Sequence, residues 1–438
     1  MENYSTLSLG EKIYEIRKAK GLSQENMAQA LNANRMTVSR MERGETECSA
    51  HNLAIIRKFL DIEKAPLLEH ELVLYRNRLR VWIDFITKGR FADARVMNEE
   101  MSVILDLPFE HDLYLLYRLA EASFLCLEYN VQASAEKLSI AEDLLDNASH
   151  EALNLYHRNK GFICGYAGDF INSIKHSTKA VEHAEADKKN DTFALNNIGF
   201  AYMFLDKPYL AIIHFERSKA LHQLKEDITS TTSGVIDGAL CNCYLDVGAN
   251  RKAEELLKPT IAYRKSVNDN LGIGASLLCM AIIKRRMKLY DECINLCDQA
   301  LTYSYGHAYA NILITKAHCM FEMKKYDECR EIITYGRAML RESESTAVKY
   351  FMDSDNITLS FNAIEHLMTL DNNDSIDYIQ NTVIPHFRAG GNKFIAKEYC
   401  NILEAHYTKK RAKTKANAIA AISRDILLEI YEGEVEFD

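Results

Sequence analysis

Apolar residues recur along this chain at three- and four-residue intervals almost from end to end, the period of helices with one buried face. Leu9, Ile13, Ile16 and Ala19 open the series, and Gly21 ends it as a C′ residue would. Ser23 then stands as an N-cap, and Glu25 suits the first turn of a helix reaching about Leu31. Asn32-Ala33-Asn34 reads as a three-residue turn: Asn32 tolerates the left-handed conformation, and Asn34 caps the next helix, Arg35 to Arg43, which Gly44 closes. A further amphipathic helix covers about Ala50–Leu60, with Leu53, Ile56, Phe59 and Leu60 inward. From Ile62 to about Asn77 a short connector enters a long helix with no Gly/Ser-rich tract.

Beyond Leu79 one pattern repeats, and Leu195–Leu221 displays it most fully. Gly199 and Ala211 lie twelve apart, Tyr202, Tyr209 and Phe215 surround them, and Pro208 separates two helical patterns. A small residue where two backbones approach, with large apolar residues beside it, is what an antiparallel helix pair needs. With Ala211 as anchor, the equivalents are Ala94, Ala135, Ser173, Ala253, Cys293, Cys329, Ser375 and Ala416. Twelve residues before the nine anchors stand Trp82, Ser123, Gly161, Gly199, Cys241, Ala281, Ala317, Ala363 and Glu404. The unit resembles a tetratricopeptide (TPR) repeat, with small-x-x-Tyr in helix A and Ala-x-x-x-Phe in helix B. One such unit cannot bury its apolar face alone, so the pattern implies a stacked array.

Composition narrows the class. Five prolines and eighteen glycines in 438 residues favour long helices joined by short turns. No apolar run approaches the ~18–20 residues that span a bilayer, and the N-terminus lacks the basic and apolar regions of a secretory signal, so the expected location is cytoplasmic with no membrane partner. Eleven cysteines then read as reduced thiols, several at the small positions of the repeats. The net charge of −9 argues against a protein that coats nucleic acid. Residues 1–62, however, hold nine Lys/Arg against eight Asp/Glu, so the acidic excess lies entirely beyond them. Cys241-x-Cys243 and Cys293-x3-Cys297 have no partner pair at zinc-finger spacing; with no phosphate loop, nucleophile elbow or HExxH, the reading is of no metal, no cofactor and no enzyme.

The segment GLSQENMAQALNANRMTVSRMERGE is similar to the helix-turn-helix of the Cro/C1 or XRE family, with Gln24, Ala28, Val38, Ser39, Glu42 and Gly44 in place. Asn32 and Asn34 stand where Gly and Ser are usual, and both keep the required backbone geometry. A short helix with long polar side chains in its N-terminal half enters a major groove and reads base edges. Arg35, Met36, Ser39 and Arg40 occupy the recognition positions, while Gln24, Thr37 and Arg43 suit phosphates. The resemblance also implies a structural pair, Arg17 with Glu42.

A helix-turn-helix followed by such an array resembles the RRNPP family of Gram-positive quorum-sensing regulators. This resemblance implies an all-α fold: a five-helix domain over 1–62, a helical connector over 63–78, and a right-handed superhelix of eight to nine hairpins over 79–438. It further implies a homodimer that binds operator DNA and holds a short linear signalling peptide on the concave, helix-A face of the array. The positions this assigns include Arg158, Phe162, Tyr166, Asn196, Phe200, Met203, Asn242, Arg285, His318 and Asn401. Asn side chains would pair with peptide backbone, aromatics would supply pockets, and Arg158 or Arg285 would hold a carboxylate. Two other readings stay open. The array could sequester or dephosphorylate a response-regulator protein, for which Gln132 is the only Gln within 63–150; or it could merely dimerise a repressor.

Overall fold

The computed structural model describes residues 8–62, 67–88, 90–102, 104, 110–223, 231–304, 306–343, 354–390 and 392–431. No strand occurs among the described residues. The first four helices are α1 (Leu9–Ala19), α2 (Gln24–Ala30), α3 (Arg35–Glu42) and α4 (Ala50–Phe59). Polar caps fix where they start. Ser8 and Glu11 form a reciprocal capping box, Ser23 and Asn26 form another, and Asn34 accepts the Thr37 N–H at 2.8 Å. Their inward faces meet in one core of Ile13, Ile16, Met27, Ala28, Val38, Met41, Leu53, Ile56 and Leu60. Each such buried aliphatic side chain contributes about 1.5–3 kcal/mol. Gly10 sits where α1 crosses the end of α3; a Cβ there would fall 2.0 Å from the Met41 carbonyl oxygen.

Nine helix pairs follow among the described residues. The first three are α5 (Glu69–Thr87) with α6 (Phe91–Met101), α7 (His111–Leu127) with α8 (Val131–Glu142), and α9 (His150–Tyr166) with α10 (Phe170–Ala186). Next come α11 (Thr192–Phe204) with α12 (Pro208–Gln223), α13 (Thr231–Asp246) with α14 (Asn250–Ser266), and α15 (Asn270–Arg286) with α16 (Tyr290–Leu301). The series continues with α17 (Gly306–Glu322) and α18 (Tyr326–Ser343), then α19 (Ser354–Leu367), and closes with α22 (Lys393–Lys409) and α23 (Lys413–Tyr431). The partner of α19 is broken into α20 (Asn373–Tyr378), a π turn at Ile379–Val383 and α21 (Ile384–Ala389). Pro385 at the start of α21 has no N–H to continue the ladder. Of the five helices expected over residues 1–62, four lie there; the fifth is α5, which begins at Glu69 and also opens the array.

The small residues sit where expected, with one shift in register. Ala94, Ser173, Ala211, Ala253, Cys293, Cys329, Ser375 and Ala416 are buried. In the α7–α8 pair the buried anchor is Ser134, not Ala135, and its partner is Ala122 rather than Ser123. Ser134 donates to the Ala122 carbonyl at 2.9 Å, which a methyl group could not do. The turns confirm this register. A left-handed residue ends helix A seven positions after the small one: Tyr129, Gly168, Asp206, Gly248, Lys288, Lys324 and Arg411. Counting back seven from Tyr129 gives Ala122.

The chain forms two compact units, Met1–Asn197 and Ile198–Asp438, so the division falls inside α11 and not at residue 62. The helix-turn-helix shares its unit with the first three pairs, whose core is built around Trp82. The Trp82 ring lies 5.5 Å from Tyr117 and 6.4 Å from Phe124, and its Nε1–H donates to the Ala94 carbonyl at 2.8 Å. In the second unit, Gly199 lets the Phe215 ring close on α11, since a Cβ at 199 would lie 2.7 Å from that ring.

Candidate nucleic-acid interface and array residues

Helix α3 is presented by a rigid internal brace. Arg17 Nε donates to Glu42 Oε1 at 2.5 Å and Nη2 to Oε2 at 2.9 Å, while Nη1 bonds the Leu22 carbonyl at 2.6 Å. Both side chains are nearly buried, so the bidentate geometry replaces the water they lose. Gln24 joins this brace: its amide donates to Glu42 at 2.8 Å and accepts from Arg35 Nε at 3.4 Å. Both ends of the Gln24 amide are thus engaged at the junction of α2 and α3. Thr37 likewise spends its N–H and hydroxyl on the Asn34 cap.

The outward face of α3 carries Arg35, Met36 and Arg40, all exposed, with Ser39 half-buried beside them. Met36 is 63% exposed, so its side chain is available for contact. The Arg35 guanidinium lies 3.7 Å from Glu25, an exposed pair that salt screens readily. Arg43 lies at the end of α3, 3.1 Å from Glu45.

A buried polar clasp joins this domain to the first helix pairs. Lys12 Nζ lies 2.8 Å from Glu110 Oε2, and the other Glu110 oxygen accepts the Leu67 N–H at 2.9 Å. Nearby, Arg57 bonds Glu71 at 2.8 Å, and Glu71 also accepts the Leu68 N–H at 2.7 Å. Burial would raise the Glu71 carboxyl, but Arg57 and the backbone N–H hold it below the usual carboxylate range. Sequence reasoning did not find Lys12 or Glu110, because 98 residues separate them.

The array residues are divided between the units. In the first, Arg158 is buried, donates to Ser123 Oγ at 3.1 Å and lies over the Phe193 ring at 5.4 Å. Phe162 packs on Phe193 with centroids 5.8 Å apart, and Tyr166 is exposed. Asn196 is buried, and its Oδ1 accepts no hydrogen bond among the described residues. An unsatisfied buried acceptor of this kind costs about 1–3 kcal/mol.

In the second unit Phe200 meets Phe215 edge-on at 5.1 Å and Met203 is half-buried. Asn242 and Asn401 are exposed, and Asn242 accepts from the Cys279 thiol at 3.5 Å. Arg285 is paired within the unit. Its Nη1 bonds Glu322 at 2.8 Å and its Nη2 bonds Glu398 at 2.6 Å, so two carboxylates already occupy the fork expected to take a peptide carboxylate. Burial would raise Glu398, but Arg285, with His318 and Arg286, holds its carboxyl at about 2. Burial first, then Arg285, lowers His318 to about 4 and keeps it neutral; its Nδ1 has no partner among the described residues. Arg158 is likewise engaged, its guanidinium over the Phe193 ring and bonded to Ser123.

Helix α22 thus reaches α15 through Arg285–Glu398. It also reaches the turn after α11, where Lys393 lies 3.3 Å from Asp206. Lys207 donates to the Glu429 carbonyl at 2.9 Å, a contact spanning 222 residues within this unit. Gln132, exposed on α8, lies 3.5 Å from Glu136.

The described residues thus combine a helix-turn-helix domain with a TPR-like helical array. The helix-turn-helix family HTH_3 matches residues 13–67. The fold is similar to that of the apo form of the quorum sensor NprR from B. thuringiensis, at a TM-score of 0.63 and 16% identity, covering 80% of this chain and 98% of that one. A Rap protein complexed with competence and sporulation factor gives 0.62 and 15%, covering 82% and 99%. NprR in complex with its cognate peptide NprX gives 0.57 and 15%, covering 81% and 99%. No curated protein matches the chain.

Proposed function

We propose that the chain is a cytoplasmic, non-enzymatic transcriptional regulator that binds operator DNA as a homodimer and answers to a short linear peptide. The observation that carries this reading is a complete helix-turn-helix, with Arg35, Met36 and Arg40 turned outward, on an array with the fold of a peptide-binding quorum sensor. Arg35 and Arg40 supply bidentate donors to guanine, Met36 an apolar contact to a thymine methyl, and Arg43 a phosphate contact. The 1–62, 63–78 and 79–438 division then describes roles, with the Lys12–Glu110 clasp crossing it.

The peptide contacts are assigned to helix-A amides: Asn196 in the first unit, Asn242 and Asn401 in the second. Asn196 has a concrete motive, since a peptide N–H would satisfy its orphaned Oδ1. Phe162, Tyr166, Phe200 and Met203 supply apolar contact. Arg158, Arg285 and His318 support the walls and do not receive the ligand.

A second reading, action on a response-regulator protein, draws on the likeness to aspartyl phosphate phosphatase F from Bacillus subtilis, at a TM-score of 0.52 and 12% identity. The experiment that separates them is a pull-down with purified chain, with and without short peptides encoded beside its gene, probed for operator DNA and for response regulators. Peptide-sensitive DNA capture supports the first reading; peptide-sensitive capture of a response regulator alone refutes it.

A further inference from the structure

Four histidines lie on the facing sides of α9 and α10. His150 and His157 are seven apart on one helix, and His176 and His183 are seven apart on the other, so each pair projects from one face two turns apart. The helices run antiparallel, which sets His150 opposite His183 and His157 opposite His176. The Nδ1 atoms face each other at 2.9 Å in the first rung and 3.0 Å in the second. Between the rungs the His157 and His183 rings stack, with centroids 5.7 Å apart. The result is a continuous ladder of four imidazoles. His150 is exposed and the other three are half-buried, so solutes have access.

Burial lowers His157 to about 4, and burial also lowers His176 and His183. The charges around them nearly balance. Lys160 is bonded to Glu142 at 2.8 Å, Lys189 lies 3.5 Å from Glu151, and Lys179 is offset by Glu182, Asp169 and Asp187. Two neutral imidazoles share only one proton per rung, so the lone pair of one ring is the sole acceptor for the other.

We propose that each rung is a bis-imidazole site for a divalent transition-metal ion of the Ni2+ or Cu2+ type. Two cis donors at 90° with metal–nitrogen bonds of about 2.05 Å are about 2.9 Å apart, whereas tetrahedral donors stand about 3.35 Å apart. The rungs measure 2.9 and 3.0 Å, ordinary N–H···N hydrogen-bond lengths that two cis donors of such an ion would also keep. No three His, Cys, Asp or Glu donors converge on one point among the described residues, so water fills the remaining positions. Binding replaces the shared proton by a tautomer change: the ring that held it loses the Nδ1 proton to solvent and takes one up at Nε2, so both rings stay neutral and both Nδ1 lone pairs bind the ion. The metal staples α9 to α10.

The test uses the full-length chain without a histidine tag, stripped with EDTA and dialysed against NiCl2. Two Ni2+ per chain are expected, falling to one in His176→Gln, one in His183→Gln and none in the double variant. No binding, or a stoichiometry unchanged in the double variant, overturns the proposal; so does a single ion lost equally in both single variants. If a variant loses its helical circular dichroism, electron paramagnetic resonance of Cu2+ on the unaltered chain decides. Two equatorial imidazole nitrogens support the site, and an oxygen- or thiolate-dominated spectrum overturns it.

Discussion

Replacing Glu110 with Gln should loosen the DNA-binding domain from the first helix pairs without disturbing either. Gln keeps an acceptor for the Leu67 N–H but removes the charge facing Lys12, whose side chain is 10% exposed against 2% for Glu110. Removing one partner of a buried pair leaves the other charge uncompensated and costs about 3–5 kcal/mol. Lys12→Met keeps the volume of the stem and strands Glu110 instead. The double variant leaves neither charge and should recover most of the loss, so the cycle should return a coupling of about 2 kcal/mol or more. The assay is urea unfolding followed by fluorescence of Trp82, the single tryptophan, which sits in the α5–α7 core of the same compact unit. Additive single and double variants, with coupling under about 0.5 kcal/mol, would refute the clasp as an energetic link.

Other expectations follow from named contacts. Arg35→Ala and Arg40→Ala should each remove about 1–3 kcal/mol of base discrimination in competition binding, whereas Arg43→Ala should weaken all duplexes alike and reduce the salt slope by about one. Gly199→Ala should lower thermal stability by about 1–3 kcal/mol, because its Cβ would press into the Phe215 ring. Burial, with Asp206 adding and Arg286 opposing, pushes the Asp246 carboxyl up to about 7. Its folded pKa lies above the unfolded value, so its penalty grows as pH rises and is complete above about 7. Asp246→Asn should therefore stabilise at pH 8, by at most about 4 kcal/mol for three units, and have little effect near pH 4 in thermal melts. His318 behaves oppositely: its folded pKa of about 4 lies below the unfolded value, so stability falls as pH drops from about 6.5, and His318→Gln should flatten that limb.

Much of this architecture was legible because its signals are local. Ser23 and Asn34 cap α2 and α3 by accepting from backbone N–H groups three residues on, and small residues twelve apart mark most helix pairs. The α7–α8 register slipped by one because Ala122, Ser123, Ser134 and Ala135 are all small; the burial of Ser134 and its bond to the Ala122 carbonyl set the register, and composition does not. The helix after α19 breaks where a π turn meets Pro385, and a spacing pattern cannot register an inserted residue. The contacts that local patterns do not reveal are those with distant partners. Arg285 looked like a ligand anchor because Glu398 lies 113 residues away, and the histidine ladder requires the antiparallel register of α9 and α10. Gln24 matched a phosphate position, yet its amide closes the Arg17–Glu42 brace.

The central claim is that peptide occupancy changes DNA binding. The most direct measurement is fluorescence anisotropy of a labelled operator fragment with the full-length chain, titrated with short synthetic peptides encoded beside its gene. The expected result is that one peptide shifts the operator Kd at least tenfold and that Asn196→Ala abolishes the shift while leaving peptide-free DNA binding unchanged. An operator affinity that stays constant while a peptide demonstrably binds the array would contradict the account.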